Sequence, residues 1–328
     1  MFEKLRIALS GLVLGATVSA AAMGLATVDA AAQVKQASDV KITFVTHGQA
    51  NDVYWTVVKN GLLAAQKLTG AKVQYVAPTT FDVVKMGQLI DAAVAAKPDG
   101  LVVSIPDATA LEKPIKAAKA AGVPVVVIDS GEDQVKDWGL DLYVGGGDEY
   151  TNGTRAGLKF GSLGVKAAIC VNHEVGNVSL DDRCRGLTDG LAKTGGKVAV
   201  VAVTMDPTDS THRIEGYLAA HPETDAIMTL GPTVAAPVLK MLETRGIVNK
   251  FKFASFDLSP EVLEAISKGE MLFSVDSQQY LMGYYPVVFL VTKALYKTFP
   301  TANVYTGPAL VGKDEAASVL ALSKQGIR

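Results

Sequence analysis

From Lys41 onward the chain alternates short apolar runs with stretches whose apolar positions recur every three to four residues. Lys41–Thr46, Lys72–Ala77, Gly100–Ser104 and Pro124–Ile128 have the length and β-branched content of strands. Between them Val53–Leu68, Val83–Ala96 and Ala108–Ala121 have helical spacing. Asp82 is placed as an N-cap, and Gly122 with Pro124 ends the third helix. Runs such as GLVVS and PVVVI are apolar on both sides of the pleat, which predicts a parallel sheet covered by helices on both faces.

The rhythm restarts after Tyr143–Gly147. Helices are predicted at about 149–163, 180–191, 210–220, 234–245, 260–268, 282–297 and 314–324. Strands are predicted at 166–171, 198–203, 226–229, 251–255 and 272–275. The expected fold class is therefore α/β, with two Rossmann-like lobes. Each is a mostly parallel sheet with helices on both faces, and the ligand cleft lies between them.

The first residues follow another pattern. Lys4 and Arg6 precede an apolar stretch from Ile7 to about Ala26, and Ala30-Ala31-Ala32 offers a small-x-small cleavage site. Residues 1–32 read as a cleaved signal peptide, with an uncleaved anchor as the alternative. No later apolar run reaches ~18 residues without a charge or breaker, so no membrane span is expected. Cleavage removes Glu3 and Asp29 along with Lys4 and Arg6, so the formal net charge stays at −2.

Composition narrows the classes further. With 31 basic and 33 acidic side chains there is no cationic excess to hold a phosphate backbone, which argues against nucleic-acid binding. At 328 residues and 49% hydrophobic content the chain is neither disordered nor a small stapled scaffold. Export places Cys170 and Cys184 where cysteines can pair. A bridge closing that loop is worth ~3 kcal/mol in the chain-entropy account; two buried thiols are the alternative. Two cysteines without a CxxC do not make a thiolate zinc site.

In open parallel sheets ligands bind beyond the carboxyl ends of the strands. There the sequence places His47 to Asp52 with Tyr54 and Trp55, then Ser104, then Asp129. In the second half it places Asn172-His173-Glu174, Arg183, Gly231-Pro232, Asp257 and Ser277. Polar groups recur at the same end of strand after strand, with one aromatic pair, which predicts a polar pocket with stacking surfaces.

These residues resemble the ribose/galactose type of periplasmic sugar-binding proteins, partners of ABC importers. The resemblance spans about 39–310. It rests on Asn51-Asp-Val-Tyr-Trp55, PVVVID ending at Asp129, Arg183-Cys-Arg-Gly186, Ala254-Ser-Phe-Asp257, and Val275-Asp-Ser-Gln-Gln-Tyr280 with Gly283. It implies a first lobe of 39–145 plus 278–304 and a second of 146–277 plus 305–328. Three hinge crossings are expected near 144–147, 276–279 and 303–306.

The resemblance also implies roles. Asp52 and Asp129 would accept sugar hydroxyls from the first lobe, with Tyr54 and Trp55 flanking the ring. Asp257 would do so from the second, where Arg183 would reach the ring oxygen or a hydroxyl, with Ser277 near the hinge. Three positions depart from the pattern: Ser130 stands where an Arg is usual, Gly231-Pro232 replaces Asn-Asp, and Ser277 replaces a Gln. The expected protein is a periplasmic monomer that closes on a neutral monosaccharide or polyol and docks on a membrane permease. No cofactor, metal or nucleic acid is implied.

The chemistry of the residues agrees. Ionised Asp accepts several O–H donors, Arg donates up to five N–H groups, and aromatic faces suit sugar C–H groups. An anionic ligand would be repelled by three Asp residues. Simpler roles compete at some positions. Tyr54 and Trp55 could be helix core, with adjacent residues facing different sides. Asp52 could cap the helix, and Arg183 could pair with Asp181 or Asp182 at the surface. His47, His173 and Glu174 lack metal-ligand spacing, so His47 is read as a neutral pocket donor, with Asn172 and Ser104 as further pocket candidates.

An enzyme finds little support. Gly145-Gly146-Gly147-Asp148 is not a GxGxxG after the first strand. Ser179 and Ser210 lack a GxSxG elbow. Asp129 and Asp257 as a glycosidase pair would need one raised pKa. A glycan- or nucleotide-processing enzyme is the remote alternative. Presentation of the ligand to a chemoreceptor or sensor kinase is a compatible second role.

Overall fold

In a computed structural model the described residues are 35–49 and 52–328. The expected signal peptide, residues 1–32, lies outside them, as do Ala50 and Asn51. The first sheet opens with β1 (Lys41–Val45), α1 (Val53–Thr69), β2 (Lys72–Val76), α2 (Val83–Ala95) and β3 (Gly100–Val103). It continues through α3 (Ala108–Ala120), β4 (Val125–Ile128), α4 (Glu132–Asp137) and β5 (Leu142–Gly145). The second begins with α5 (Glu149–Ser162), β6 (Ala167–Asn172), α6 (Val178–Ala192), β7 (Lys197–Ala202), α7 (Pro207–Ala220) and β8 (Ala226–Thr229). Next come α8 (Pro232–Thr244), β9 (Lys252–Phe256), α9 (Pro260–Lys268) and β10 (Ser274–Asp276). The chain ends with α10 (Gln279–Tyr296), β11 (Val304–Tyr305), β12 (Ala309–Val311) and α11 (Lys313–Ser323).

The two sheets are built alike. One has the order β11-β5-β4-β3-β1-β2 and the other β12-β10-β9-β8-β6-β7. All pairings are parallel except that of β12 with β10. Alternate strand residues enter opposite cores, as the period-two pleat requires. Val102, Val126 and Ile128 pack under α1 and α10, whereas Leu101, Val103, Val125 and Val127 pack under α2 and α3. In the second sheet Ile169, Val171 and Ile227 face one way and Ala168, Cys170 and Met228 the other.

Each lobe has one helix pair pressed together through glycine. At the α1–α10 crossing a Cβ on Gly61 would lie 1.9 Å from Tyr280 O, and one on Gly283 1.9 Å from Val58 O. At the α5–α6 crossing a Cβ on Gly186 would lie 2.0 Å from Tyr150 O, and one on Gly153 2.2 Å from Arg183 O. No side chain fits at either crossing, so the backbones touch. Cys170 on β6 and Cys184 on α6 form a disulfide with Cα atoms 5.7 Å apart.

The chain passes between the sheets after Gly145, after Asp276, and between Tyr305 and Ala309. Val304 and Tyr305, expected to straddle the third crossing, both pair with β5 in the first sheet. The short α4, β5, β11 and β12 were not among the predicted elements. No helix among the described residues is long and apolar enough to cross a membrane.

Candidate ligand-binding site

A cavity lies where the carboxyl ends of the two sheets meet. The first lobe supplies His47, Asp52, Tyr54, Trp55 and Asp129 to its wall. The second supplies His173, Glu174, Asn177, Arg183, Thr233 and Asp257, with Leu180, Leu230, Gly231 and Pro232 as apolar or backbone lining.

Asp129 and Asp257 occupy matching places, each immediately after the fourth strand of its lobe. Their φ angles are 62° and 61°, the left-handed region that Asp tolerates better than most side chains. A hydroxyl of the next strand holds each turn. Tyr143 Oη donates to Asp129 O at 2.7 Å, and Ser274 Oγ donates to Asp257 O at 2.6 Å. The kink turns each carboxylate off the sheet and into the cleft.

On the first-lobe wall the carboxylates are held by neutral donors. Tyr54 Oη donates to Asp129 Oδ1 at 2.5 Å, and Ser130 Oγ donates to Oδ2 at 3.0 Å. Asp52 both caps α1, accepting from Tyr54 N at 2.9 Å, and lines the cavity. Tyr54 and Trp55 both reach the cavity because they sit in the first turn of α1, whose end abuts it. Their rings meet edge to face at 5.1 Å, and both also belong to the first-lobe core.

On the second-lobe wall the charge around Arg183 is paired internally. The guanidinium of Arg183 grips Glu149 through Nε and Nη2, both at 2.8 Å. Its Nη1 donates to Leu230 O at 3.1 Å and reaches Asp257 at 3.4 Å. The group lies 4.5 Å above the Phe256 ring. Arg183 is only 3% exposed, so this is a buried network and not the surface pairing with Asp181 or Asp182; Arg185 makes the latter contact. Burial alone would lower the pKa of Arg183, but Glu149, Asp257 and Asp129 outweigh it and hold it well above its usual value.

The lobes also touch directly across the cleft. Thr233 Oγ1 donates to Asp52 Oδ1 at 2.9 Å, and Val178 N donates to Pro106 O at 3.0 Å. Asn177 Nδ2 reaches His47 Nε2 at 3.3 Å, and Glu174 Oε2 lies 3.5 Å from the same nitrogen. Burial raises Glu174 to about 8, Asp257 to about 7 and Asp52 to about 6, and raises Asp129 as well. Burial lowers His47 and His173 to about 3, so both rings are neutral.

Three expected positions stand behind the wall instead of in it. Ser104 Oγ accepts from His47 N at 3.1 Å and shares a 2.8 Å hydrogen bond with His47 Nδ1, so it orients that ring. Asn172 accepts from Glu174 N and donates to Asp181, which shapes the turn presenting Glu174. Ser277 donates its hydroxyl to Asp257 Oδ1 and is spent on that carboxylate. Conversely, Glu149, Asn177 and Thr233 support or line the site but were not singled out for it. Glu174, two residues past the end of β6, stood among the strand-end polar residues but was given no ligand role.

A family profile described as a periplasmic binding protein domain matches residues 42–297. The chain belongs to this family. Among solved structures, it is 33% identical to a carbohydrate transporter from Acidothermus cellulolyticus 11B in complex with myo-inositol. That match has a TM-score of 0.82 and covers 88% of this chain and 99% of the other. It is 28% identical to an ABC sugar transporter, a periplasmic sugar-binding protein, from Legionella pneumophila, with a TM-score of 0.77 over 82% of this chain and 99% of that one. A curated relative, the xylose/arabinose-binding protein of Sulfolobus acidocaldarius, is 23% identical over 89% of this chain and 76% of its own length.

Proposed function

We infer that this periplasmic binding protein captures a monosaccharide or polyol between its lobes and delivers it to an ABC import permease. The observation that carries the reading is the cavity itself. Carboxylates, one guanidinium and two aromatic rings converge from both lobes on one space. Charged hydrogen-bonding groups suit hydroxyls, each such bond being worth ~1.5–3 kcal/mol. Only contacts stronger in the closed state drive closure, and here both walls contribute them. The relatives bear names of sugar-transport proteins, which supports binding rather than catalysis.

In this reading the ligand contacts come from His47, Asp52, Tyr54, Trp55, Asp129, Arg183 and Asp257, with Ser104, Asn172 and Ser277 supporting them. The lobes divide near 145, 277 and 305 and hinge there. The protein works as a monomer in the periplasm after loss of its signal peptide. A thermal-shift screen over sugars and polyols tests the reading. A ligand at 100 times its Kd adds ~2.7 kcal/mol of stability, a clear shift. A screen without a single shift, together with no compaction by small-angle scattering, sinks it.

A further inference from the structure

The two walls differ in charge balance, and that difference bears on the ligand. Arg183 serves Glu149 and Asp257, both on the second-lobe side of the cleft. Asp52, Asp129 and Glu174 have no lysine or arginine within ion-pair distance, although the field of Arg183 favours the ionised forms of Asp129 and Glu174; their hydrogen bonds come from Tyr54, Ser130, Thr233 and Asn177, all neutral. The nearest candidate cation is His47, whose Nε2 lies 3.5 Å from Glu174 and 3.8 Å from Asp129. That ring is 2% exposed, and burial keeps it neutral. Position 130, where the resemblance leads one to expect an arginine, is a serine.

Two oxygens are also left over. Asp52 Oδ2 and Glu174 Oε1 have no hydrogen-bond donor among the described residues, although their side chains line the cavity. Asp52 is 6% exposed and Glu174 5%. Buried carboxylates without a countercharge are costly. Beside the cavity a second hollow, sharing Asp129 and Glu149 with it or its supports, is lined by Glu132, Asp133, Asp148 and Asp182 and by no basic residue. Such an acidic mouth raises the local concentration of cations and steers them inward.

We propose that the polyol this site selects carries a protonated amine, as an amino sugar or aminocyclitol does, and that the ammonium sits among Asp52, Asp129 and Glu174. This rests on the reading of the cavity as a polyol site. An ammonium offers three donors and one positive charge, where a hydroxyl offers one donor and none. It supplies the missing countercharge and returns Glu174 and Asp52 toward their ordinary ionised state. A neutral polyol would leave the deficit to be filled by a proton taken from water.

Calorimetry of the full mature protein at pH 7 tests this with matched series: galactose, galactosamine and N-acetylgalactosamine; glucose and its two counterparts; myo-inositol and an amino-deoxyinositol. The expected result is a series in which the free amine binds about 10- to 100-fold tighter than its hydroxyl parent, as a charge-assisted hydrogen bond implies. N-acetylation abolishes that gain. Glu174→Gln, or Asp52→Asn if the first does not fold, lowers the amine-to-parent ratio by about tenfold. Association of the amine slows as salt rises, and that of the parent does not. Neutral parents binding as tightly as their amines in every series overturn the inference and leave the polyol reading standing. Failure of every compound in the series and in the wider screen overturns the reading itself.

Discussion

The two walls of the cleft are copies in backbone and opposites in chemistry. β4 and β9 occupy the same place in their sheets, and each ends in a left-handed aspartate locked by a hydroxyl from the neighbouring strand. Each lobe also crosses one helix pair through glycines. What differs is the helix beside the aspartate. α1 presents Tyr54 and Trp55, so Asp129 meets a phenol and an apolar surface. α6 presents Arg183, so Asp257 meets a guanidinium. One fold unit can thus serve as a stacking wall or as a fixed ionic wall, depending on one or two positions in an adjoining helix.

The largest effect is expected from removing the ionic wall's centre. Arg183→Leu leaves Glu149 and Asp257 buried without their cation, at a cost of ~3–5 kcal/mol. Urea unfolding should show a matching drop in midpoint, and ligand binding should vanish. A variant of wild-type stability would mean that the network is dispensable.

A second test uses the shared glycine crossings. Gly186→Ala and Gly61→Ala each force a methyl against backbone, costing ~1–3 kcal/mol. Only Gly186→Ala should also weaken ligand affinity, because α5 and α6 carry the two halves of the Glu149–Arg183 pair. Equal binding losses in both variants would separate the pair from the site.

Asparagine substitutions sharpen the contrast at the aspartates, since Asn also accepts positive φ. Asp129→Asn should cost ~1.5–3 kcal/mol in binding with little change in stability. Asp257→Asn should lower both, because it also withdraws a partner from Arg183. Isothermal calorimetry paired with melting curves distinguishes them.

The smallest effect is on pH. Burial raises Asp52, Asp257 and Glu174 to about 6, 7 and 8, above the range they have in an unfolded chain. On these carboxylates the folded protein holds more protons than the unfolded one up to about pH 8; His47 and His173, lowered to about 3, oppose this below about pH 6.5, so the net excess lies between about pH 5 and 8. Their contribution is fully present below pH 4 and is lost as pH rises through 6, 7 and 8. Melting temperature without ligand should fall from pH 5 to pH 8.5, and Glu174→Gln should flatten the upper part of that slope. A rising curve would contradict the burial of these groups.

Much of this was legible in the sequence. The strand runs announced two parallel sheets, and the first polar residue after each run led to His47, Asp129 and Asp257. β11 and β12 escaped because two or three residues carry no periodicity, and β11 finds its partner about 160 residues back in the chain. Glu149 escaped because an acid in the first turn of a helix already has a reason to be there. Thr233 and Asn177 gain their roles only when the second lobe meets the first, a relation no local pattern encodes. Ser104, Asn172 and Ser277 lie at the strand ends and bond His47, Asp181 and Asp257: strand ends fix where a residue lies, not which neighbour its side chain serves.

The late strands have a consequence for how the molecule is made. β11 closes the outer edge of the first sheet and β12 that of the second, yet both come after residue 303. A nascent chain that stops at residue 300 exposes an unpaired edge on each sheet at once, an invitation to pair with another chain. Domains arranged in series finish folding one after the other during synthesis. Here neither half is finished until the last residues are out, so the chain must mature as a single unit.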